Sequence, residues 1–136
     1  MKAILVPAKK VPTIWNELEP LIDKALSYST EKLKAFDFLV PILQGKVFLW
    51  IGTEGTEIET VFLCEPQQRN DEQISLWVHG IATRSGHGYK DWHPLLEDIK
   101  NFAKINGADF IEAKVRKGLA KKLKWDDTHS YVTLKL

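Results

Sequence analysis

The stretch that decides the fold is WHPLLEDIKNFAKINGADFIEAKV, residues 92–115. Its first half carries apolar side chains at helical spacing, which predicts an amphipathic helix with Asp91 as its N-cap. Asn106 and Gly107 are typical of a helix end, and ADFIEAKV has the apolar character of a buried strand. The stretch therefore predicts a helix followed directly by a strand. The apolar helix positions are Trp92, Leu95, Leu96, Ile99, Phe102 and Ala103.

A strand pattern also precedes this helix, in EQISLWVHGIA, residues 72–82. A strand, a helix and a second strand in succession predict two parallel neighbouring strands joined by a right-handed crossover. Further upstream, KVFLWIGTEGTEIETVFLCEP, residues 46–66, contains two β-rich runs joined by a Gly-containing turn at 53–56. That pattern is typical of a hairpin. The sequence therefore predicts an antiparallel meander that continues into a parallel pair.

The first 45 residues predict a short strand, AILVP, and two helices. The first helix is expected over about 13–28 with Thr13 as its N-cap. Pro20 and Pro41 lie inside the two helical patterns, and each is expected to bend its helix because proline removes a hydrogen bond. The second helix is expected to bury one apolar stripe. The stripe consists of Leu33, Phe36, Leu39, Val40 and Leu43.

The C-terminal part predicts a short basic helix, KGLAKKLK, and a closing strand, SYVTLKL. The predicted order is β-α-α-β-β-β-α-β-α-β, an α/β (α+β) fold with one sheet of mixed direction. A chain of 136 residues has the size of one domain, so residues 1–136 are expected to form a single unit.

Composition and charge narrow the function classes. The net charge of +1 is too small to imply nucleic acid by itself. Cys64, the single cysteine, excludes an internal disulfide and is expected to be a buried thiol in a reducing compartment. No segment has the length of a signal peptide core or a membrane span, so we expect a cytoplasmic protein with no membrane contact.

The order of elements resembles the GCN5-related N-acetyltransferase fold. The text PLLEDIKNFAKINGADFIEAKV is similar to that family's crossover between its fourth and fifth strands. VFLWIGTEG and ADFIEAKVRKGLAKKL also resemble small acetyltransferase-like proteins of bacteriophages, which often lie among virion genes. The resemblance implies acetyl-CoA as cofactor in the active members, and a phosphate-binding loop between the fourth strand and the main helix.

Here that loop is TRSGHGYKDWHPLLEDI, residues 83–99. The family pattern, Arg/Gln-x-x-Gly-x-Gly/Ala, uses glycines to bring backbone N–H groups close to the pyrophosphate. Counted from Arg84, the pattern requires Gly where His87 stands and Gly or Ala where Tyr89 stands. Asp91 adds a carboxylate, and Pro94 removes an N–H group from the first helical turn. We therefore expect a structural loop that binds no cofactor. If it binds acetyl-CoA, the candidates are Arg84, Gly86, His87, Gly88 and Lys90.

The resemblance also implies a tyrosine on the helix after the fifth strand that protonates the CoA thiolate. RKGLAKKLKW contains none, which leaves Tyr131 in the last strand as the candidate acid. Glu112 and His79 are the candidate bases for deprotonating an amine. The alternation of its strand makes Glu112 solvent-facing, and His79 is expected to be a hydrogen-bonded sheet residue.

Other constellations are weaker. The four histidines lack a closed spacing with cysteines or carboxylates, so no metal site is predicted. A basic run from Lys114 to Lys124 could follow a phosphate backbone, but a solvated helix face is the simpler interpretation. Trp92 and Trp125 could anchor a protein interface.

These features favour a non-catalytic acetyltransferase-like protein that works through protein contacts, as a bacteriophage virion or assembly component located in the host cytoplasm or the virion. The first alternative is an acetyl-CoA-dependent N-acetyltransferase acting on an amine. The second is a phage inhibitor of a host protein. The partner is expected to be a protein rather than nucleic acid.

Overall fold

The computed structural model describes residues 1–27, 32–69, 72–84, 88–113, 117–126 and 132–136. The strands are β1 (Lys2–Leu5), β2 (Phe48–Glu54), β3 (Glu57–Gln68), β4 (Ile74–Thr83), β5 (Phe110–Ala113) and β6 (Val132–Lys135). They form one six-stranded sheet in which the spatial order follows the chain order. Only β4 and β5 are parallel, and the other neighbouring pairs are antiparallel. The predicted mixed sheet is confirmed.

The helices are α1 (Trp15–Leu26), α2 (Ala35–Leu43), α3 (Tyr89–Trp92), α4 (Leu95–Ile105) and α5 (Lys117–Leu123). A 3-10 helix, Ala8–Ile14, precedes α1. The predicted hairpin turn is present between β2 and β3, and Gly55 adopts a φ of 59° there. Helix α4 ends at the predicted Asn106-Gly107 pair, with Gly107 at a φ of 79°. No helix among the described residues has the length and apolar character needed to cross a membrane.

Helices cover both faces of the sheet. On one face, α1 and α2 pack against the sheet in a core that includes Leu18, Ile22, Phe38, Ile42, Leu49, Val61, Leu63 and Ala82. On the other face, α4 and α5 pack in a core that includes Phe62, Cys64, Leu76, Val78, Leu95, Ile99, Ile111, Ala113, Leu119 and Leu123. In the middle of β2 and β3, at 49–51 and 61–64, neighbouring side chains alternate between the two cores, as the pleat requires.

Helix α1 lies close against the middle of β4. A Cβ atom added at Gly80 would come within 2.9 Å of the Ala25 Cβ and 3.1 Å of the Ala25 backbone. Only a residue without a side chain allows this approach. The contact fixes where α1 crosses β4, one residue from His79.

The start of α1 differs from the prediction. Thr13 lies in the 3-10 helix, where its hydroxyl donates to the Lys10 carbonyl oxygen at 2.6 Å. The helix begins at Trp15 with no side-chain cap. Pro20 lies inside α1, as predicted. The polar residue at the cap position was therefore a misleading signal, because a tighter helix already uses its hydroxyl.

The predicted apolar stripe of the second helix is buried only in part, since Leu33 and Leu39 pack partly buried against the core and the other three side chains do not. Phe36, Val40 and Leu43 are 72%, 58% and 44% exposed. The helix is apolar nearly all round, so its apolar period could not select the face that packs. The side chains that α2 buries are Ala35, Phe38 and Ile42.

Candidate functional site

His79 occupies an irregularity in β4. Leu63 pairs with Gly80 and Cys64 pairs with Val78, so His79 is an extra residue on β4 with no partner of its own in this register. Such a bulge re-aims side chains and is common beside active sites. The irregularity lies in the middle of the sheet, where α1 and α2 cover one face.

The His79 imidazole is held by two neighbours. Its Nε2 lies 2.8 Å from the Glu65 Oε1 on β3, and its ring centroid lies 4.9 Å from that of Phe38 on α2. The side chain is 13% exposed. A carboxylate that accepts one ring N–H fixes the tautomer and leaves the other nitrogen able to accept a proton. The expectation that His79 is a hydrogen-bonded sheet residue is confirmed, and its partner is Glu65.

Glu112 is buried, so the prediction of a solvent-facing position is wrong. The residue is 5% exposed, and its Oε1 lies 3.6 Å from Arg69 Nη1. The Arg69 guanidinium also lies 4.2 Å from the Phe110 ring centroid. Strand alternation correctly separated Glu112 from the apolar residues beside it. It could not show that a distant arginine covers this face of the sheet.

The two candidate bases lie on the same face of adjacent strands. In the register, Glu112 stands opposite Trp77, two residues before His79. Ile111 and Ala113 of β5 pack in the α4 side of the core, which places Glu112 on the opposite face. His79 contacts Phe38 of α2 and therefore belongs to that same face. The fold thus places His79, Glu65 and Glu112 on one face of three neighbouring strands, with His79 and Glu65 in contact and Trp77 between Glu65 and Glu112 in the register.

The described parallel pairing of β4 and β5 stops one residue before His79. The described pairing of β4 with β5 ends at Val78 and Ala113, and β4 continues to Thr83. In sheets with parallel neighbours, ligands bind at the carboxyl ends of the strands. His79 is the first residue of β4 beyond the last described pair, so it lies at that boundary.

The predicted cofactor loop begins with Arg84, whose side chain turns back over the sheet. Its Nε donates to the Ile58 carbonyl oxygen at 2.7 Å, and Nη1 lies 3.8 Å from Glu57 Oε2. Arg84 also lines an open cleft of about 590 Å³ beside α1, together with Lys24. The Lys24 Nζ donates to the Thr83 carbonyl oxygen at 2.7 Å. The Arg84 Nε is therefore already used by the protein.

The described end of the loop carries its own carboxylate. The Gly88 N–H donates to Asp91 Oδ2 at 2.9 Å, and the Asp91 N–H donates to the Gly88 carbonyl oxygen at 2.9 Å. Asp91 thus lies in the short helix α3. The prediction that it is the N-cap of the main helix is wrong. Lys90 is exposed. Gly86 and His87 lie outside the described residues.

Helix α4 begins later than predicted, at Leu95, because Pro94 cannot donate a hydrogen bond and separates it from α3. The Leu96 N–H donates to the His93 carbonyl oxygen at 3.0 Å, and the Glu97 N–H donates to that of Pro94 at 3.2 Å. These N–H groups of the first turn are therefore engaged within the chain. Together with Gly88, they leave few described donors for an anion.

The outcomes for the other predicted site and interface residues differ from one another. Tyr131 lies outside the described residues. Trp92 is 4% exposed and packs edge-on to Phe62, so its predicted role as an interface anchor is wrong. Trp125 is half-buried against the α4 side of the core. In the described part of the basic run, Lys121, Lys122 and Lys124 are exposed.

Two features of the described chain bear on metal and thiol chemistry. No group of three potential metal ligands occurs among the described residues. Cys64 is fully buried, as predicted, and burial raises the pKa of its thiol to about 12. A thiol held protonated in this way is a poor nucleophile.

The predictions missed Glu65, Phe38 and Arg69. Glu65 stands one residue after Cys64 in β3, and period-two alternation places it on the face opposite that thiol. That signal identifies the face but not the contact, because the β4 bulge shifts the register between Leu63 and Cys64. Phe38 and Arg69 reach the site through packing across the sheet, which no local pattern encodes.

The sequence matches no family model and no curated protein. Solved structures do share its architecture. One is described as a probable acetyltransferase, with a TM-score of 0.72 and 12% identity over 100% of this chain and 99% of that chain. A ribosomal-protein-alanine N-acetyltransferase from Brucella melitensis biovar Abortus 2308 gives 0.71 and 11% over 100% of both chains.

A third solved structure is a predicted acetyltransferase with acetyl-CoA from Clostridium acetobutylicum. Its TM-score is 0.69 and its identity 15%, over 99% of this chain and 94% of that chain. At such low identity, these similarities show the fold alone. The chain therefore has a GCN5-related N-acetyltransferase-like fold. The relation to bacteriophage proteins stays a prediction.

Proposed function

We propose that the protein transfers an acetyl group from acetyl-CoA to an amine. The observation that carries this proposal is the His79–Glu65 pair, with 2.8 Å between Nε2 and Oε1, on the β4 bulge at the carboxyl end of the parallel pair. The structural similarity to acetyltransferases supports it. A base is what this reaction needs on the amine side, because an ammonium group cannot attack a thioester.

In the proposed reaction His79 removes the proton that the amine loses. The amine nitrogen forms a bond to the acetyl carbonyl carbon, the carbon–sulfur bond breaks, and CoA leaves as a thiolate. The thiolate takes up a proton from solvent, and the His79 imidazolium returns its proton to solvent. The Glu65 contact to Nε2 orients the ring and leaves Nδ1 as the nitrogen that takes the proton. Glu112, paired with Arg69, is a second carboxylate on the same face.

The described residues of the loop after β4 fit the binding of acetyl-CoA less well. The Gly88 N–H is bonded to Asp91, and the Arg84 Nε is bonded to a backbone carbonyl. These contacts favour a second candidate function, a non-catalytic protein that keeps the fold and acts through protein contacts. The two functions differ in one simple property, which is the binding of acetyl-CoA.

Binding of acetyl-CoA therefore tests the proposal. A ligand present at 100 times its dissociation constant raises the free energy of unfolding by about 2.7 kcal/mol. We expect a saturable rise in the melting temperature with acetyl-CoA, followed by amine-dependent release of free CoA thiol in a panel of amines. The absence of any shift at millimolar acetyl-CoA would favour the non-catalytic function.

A further inference from the structure

Helix α2 presents an apolar surface that the described part of the chain does not cover. Phe36, Val40 and Leu43 have the spacing i, i+4, i+7, so they lie along one side of the helix. They are 72%, 58% and 44% exposed, while Phe38 and Ile42 on the other side are buried. We call these three side chains the α2 stripe. Contiguous exposed apolar side chains of this kind mark interaction surfaces.

Lysines flank α2 along the chain and on the 3-10 helix that packs against it. Lys32 and Lys34 precede α2, and Lys46 follows it. Lys9 and Lys10 lie on the 3-10 helix, which packs against α2. All five lysines are exposed. The nearby carboxylates are Asp37 on α2 and Asp23 on α1, whose Oδ1 accepts the Ala35 N–H at 2.7 Å, and Glu31 precedes Lys32 in the sequence. Five lysines against three carboxylates leave a local excess of two positive charges.

We infer that the α2 stripe and its five lysines form a contact surface for an anionic lipid bilayer. Apolar side chains flanked by lysines are the composition with which surface helices bind membrane interfaces. The apolar side chains enter the boundary between headgroups and acyl chains, and each lysine near the anionic surface strengthens binding by about fivefold. Such a contact needs no membrane-spanning segment. It also does not depend on the proposed acetyl transfer.

Two other occupants fit the surface less well. In a two-fold dimer through α2, the lysines at the ends of the stripe would lie close to lysines of a second copy. A specific protein partner buries about 800 Å² on each side, so its contact would have to extend well beyond three side chains of a nine-residue helix. A bilayer needs neither symmetry nor a complementary shape.

Co-sedimentation with vesicles tests this inference with the full chain. We expect the protein to sediment with phosphatidylcholine vesicles that contain about 30% phosphatidylserine, and to stay in solution with phosphatidylcholine alone. Raising the salt from about 0.1 M to about 1 M should release most of it, because the Debye length falls from about 10 Å to about 3 Å.

Single variants identify the surface. Phe36→Ser should lower the partition coefficient about tenfold, because it removes one inserted apolar side chain. The matched control is Ile105→Ser, since Ile105 is 84% exposed but lies on α4, on the other side of the sheet. Circular dichroism would verify that both variants fold; neither side chain belongs to the core.

Charge variants complete the test. The double variant Lys34→Glu and Lys46→Glu should abolish sedimentation, whereas Lys121→Glu and Lys122→Glu on α5 should leave it unchanged. Failure of the wild type to sediment with phosphatidylserine vesicles would overturn the inference and leave the stripe to a protein partner. Equal losses in the Phe36 and Ile105 variants would overturn it as well.

Discussion

The middle of β4 and the loop that follows β4 differ in how their polar side chains and N–H groups are bonded. In the middle of β4, the bulge aims His79 at Glu65, and the pair lies in a partly buried site beside α2. In the loop, Gly88 and Arg84 direct donors that could hold a phosphate toward Asp91 and the Ile58 carbonyl. The middle of β4 thus holds an imidazole that can accept a proton, whereas these donors of the loop are bonded within the chain.

The largest expected effect comes from the first region. Under the proposed function, His79→Ala should lower amine acetylation at least about 100-fold, the lower end of the contribution of a general base. Acetyl-CoA binding should stay unchanged, because the residue acts on the amine. Release of CoA thiol and a parallel binding titration would measure the two effects.

His93→Ala is the matched control for His79. His93 is an exposed histidine at the end of α3, with its ring stacked at 5.0 Å on Tyr89, and it should tolerate the change. Equal losses in both variants, or full activity in His79→Ala, would remove His79 from the mechanism.

A glycine in each region gives the next comparison. Gly80→Ala should destabilise the fold by about 1–3 kcal/mol, the usual cost of overpacking, because the added Cβ meets the Ala25 backbone at 3.1 Å. Gly88→Ala should have little effect, since nothing lies within 4 Å of its added Cβ and its φ of −134° suits any residue. Urea denaturation of both variants measures the difference. Similar losses would mean that α1 can move away from β4.

The buried side of the bulge gives a pH-dependent prediction. The pKa of Cys64 rises from 9.0 to about 12 on burial, so the folded protein keeps the thiol proton more tightly than the unfolded chain. The resulting stabilisation is complete below pH 9 and is lost as the pH rises toward 12. By pH 10 the loss should be about 1 kcal/mol.

Unfolding of the wild type and of Cys64→Ala at pH 8 and pH 10 isolates this effect. Lysines and tyrosines titrate in both proteins, so only the difference between the two pH dependences reports on the thiol. Identical pH dependences would show that Cys64 reaches solvent before the protein unfolds.

Some features of the fold and of the candidate site could be predicted from the sequence, and others could not. The hairpin, the parallel pair and the Asn106-Gly107 helix end follow from local patterns, because each depends on neighbours within a few residues. Glu112 could be assigned to a sheet face but not to burial, since Arg69 reaches it across the sheet. The prediction for the loop was wrong for another reason. Asp91 has the chemistry of a helix cap, but it belongs to α3, because the main helix begins only after Pro94. The α2 face was unreadable because nearly every residue of that helix is apolar.

The smallest expected effect concerns the loop after β4 and tests whether its internal hydrogen bonds weaken the binding of an anion. Asp91→Asn removes the carboxylate that accepts the Gly88 N–H and lowers the negative charge at the start of α3. If the loop holds acetyl-CoA, binding should tighten about two- to fivefold, the size of a single charge effect at a helix terminus. Glu19→Gln is the control, because it changes the net charge equally but lies exposed on α1, which packs on the opposite face of the sheet from α4. Weaker binding in Asp91→Asn, measured by calorimetry, would mean that the carboxylate shapes the loop for its ligand and does not compete with it. Equal tightening in both variants would assign the effect to the net charge of the protein and not to the position of Asp91.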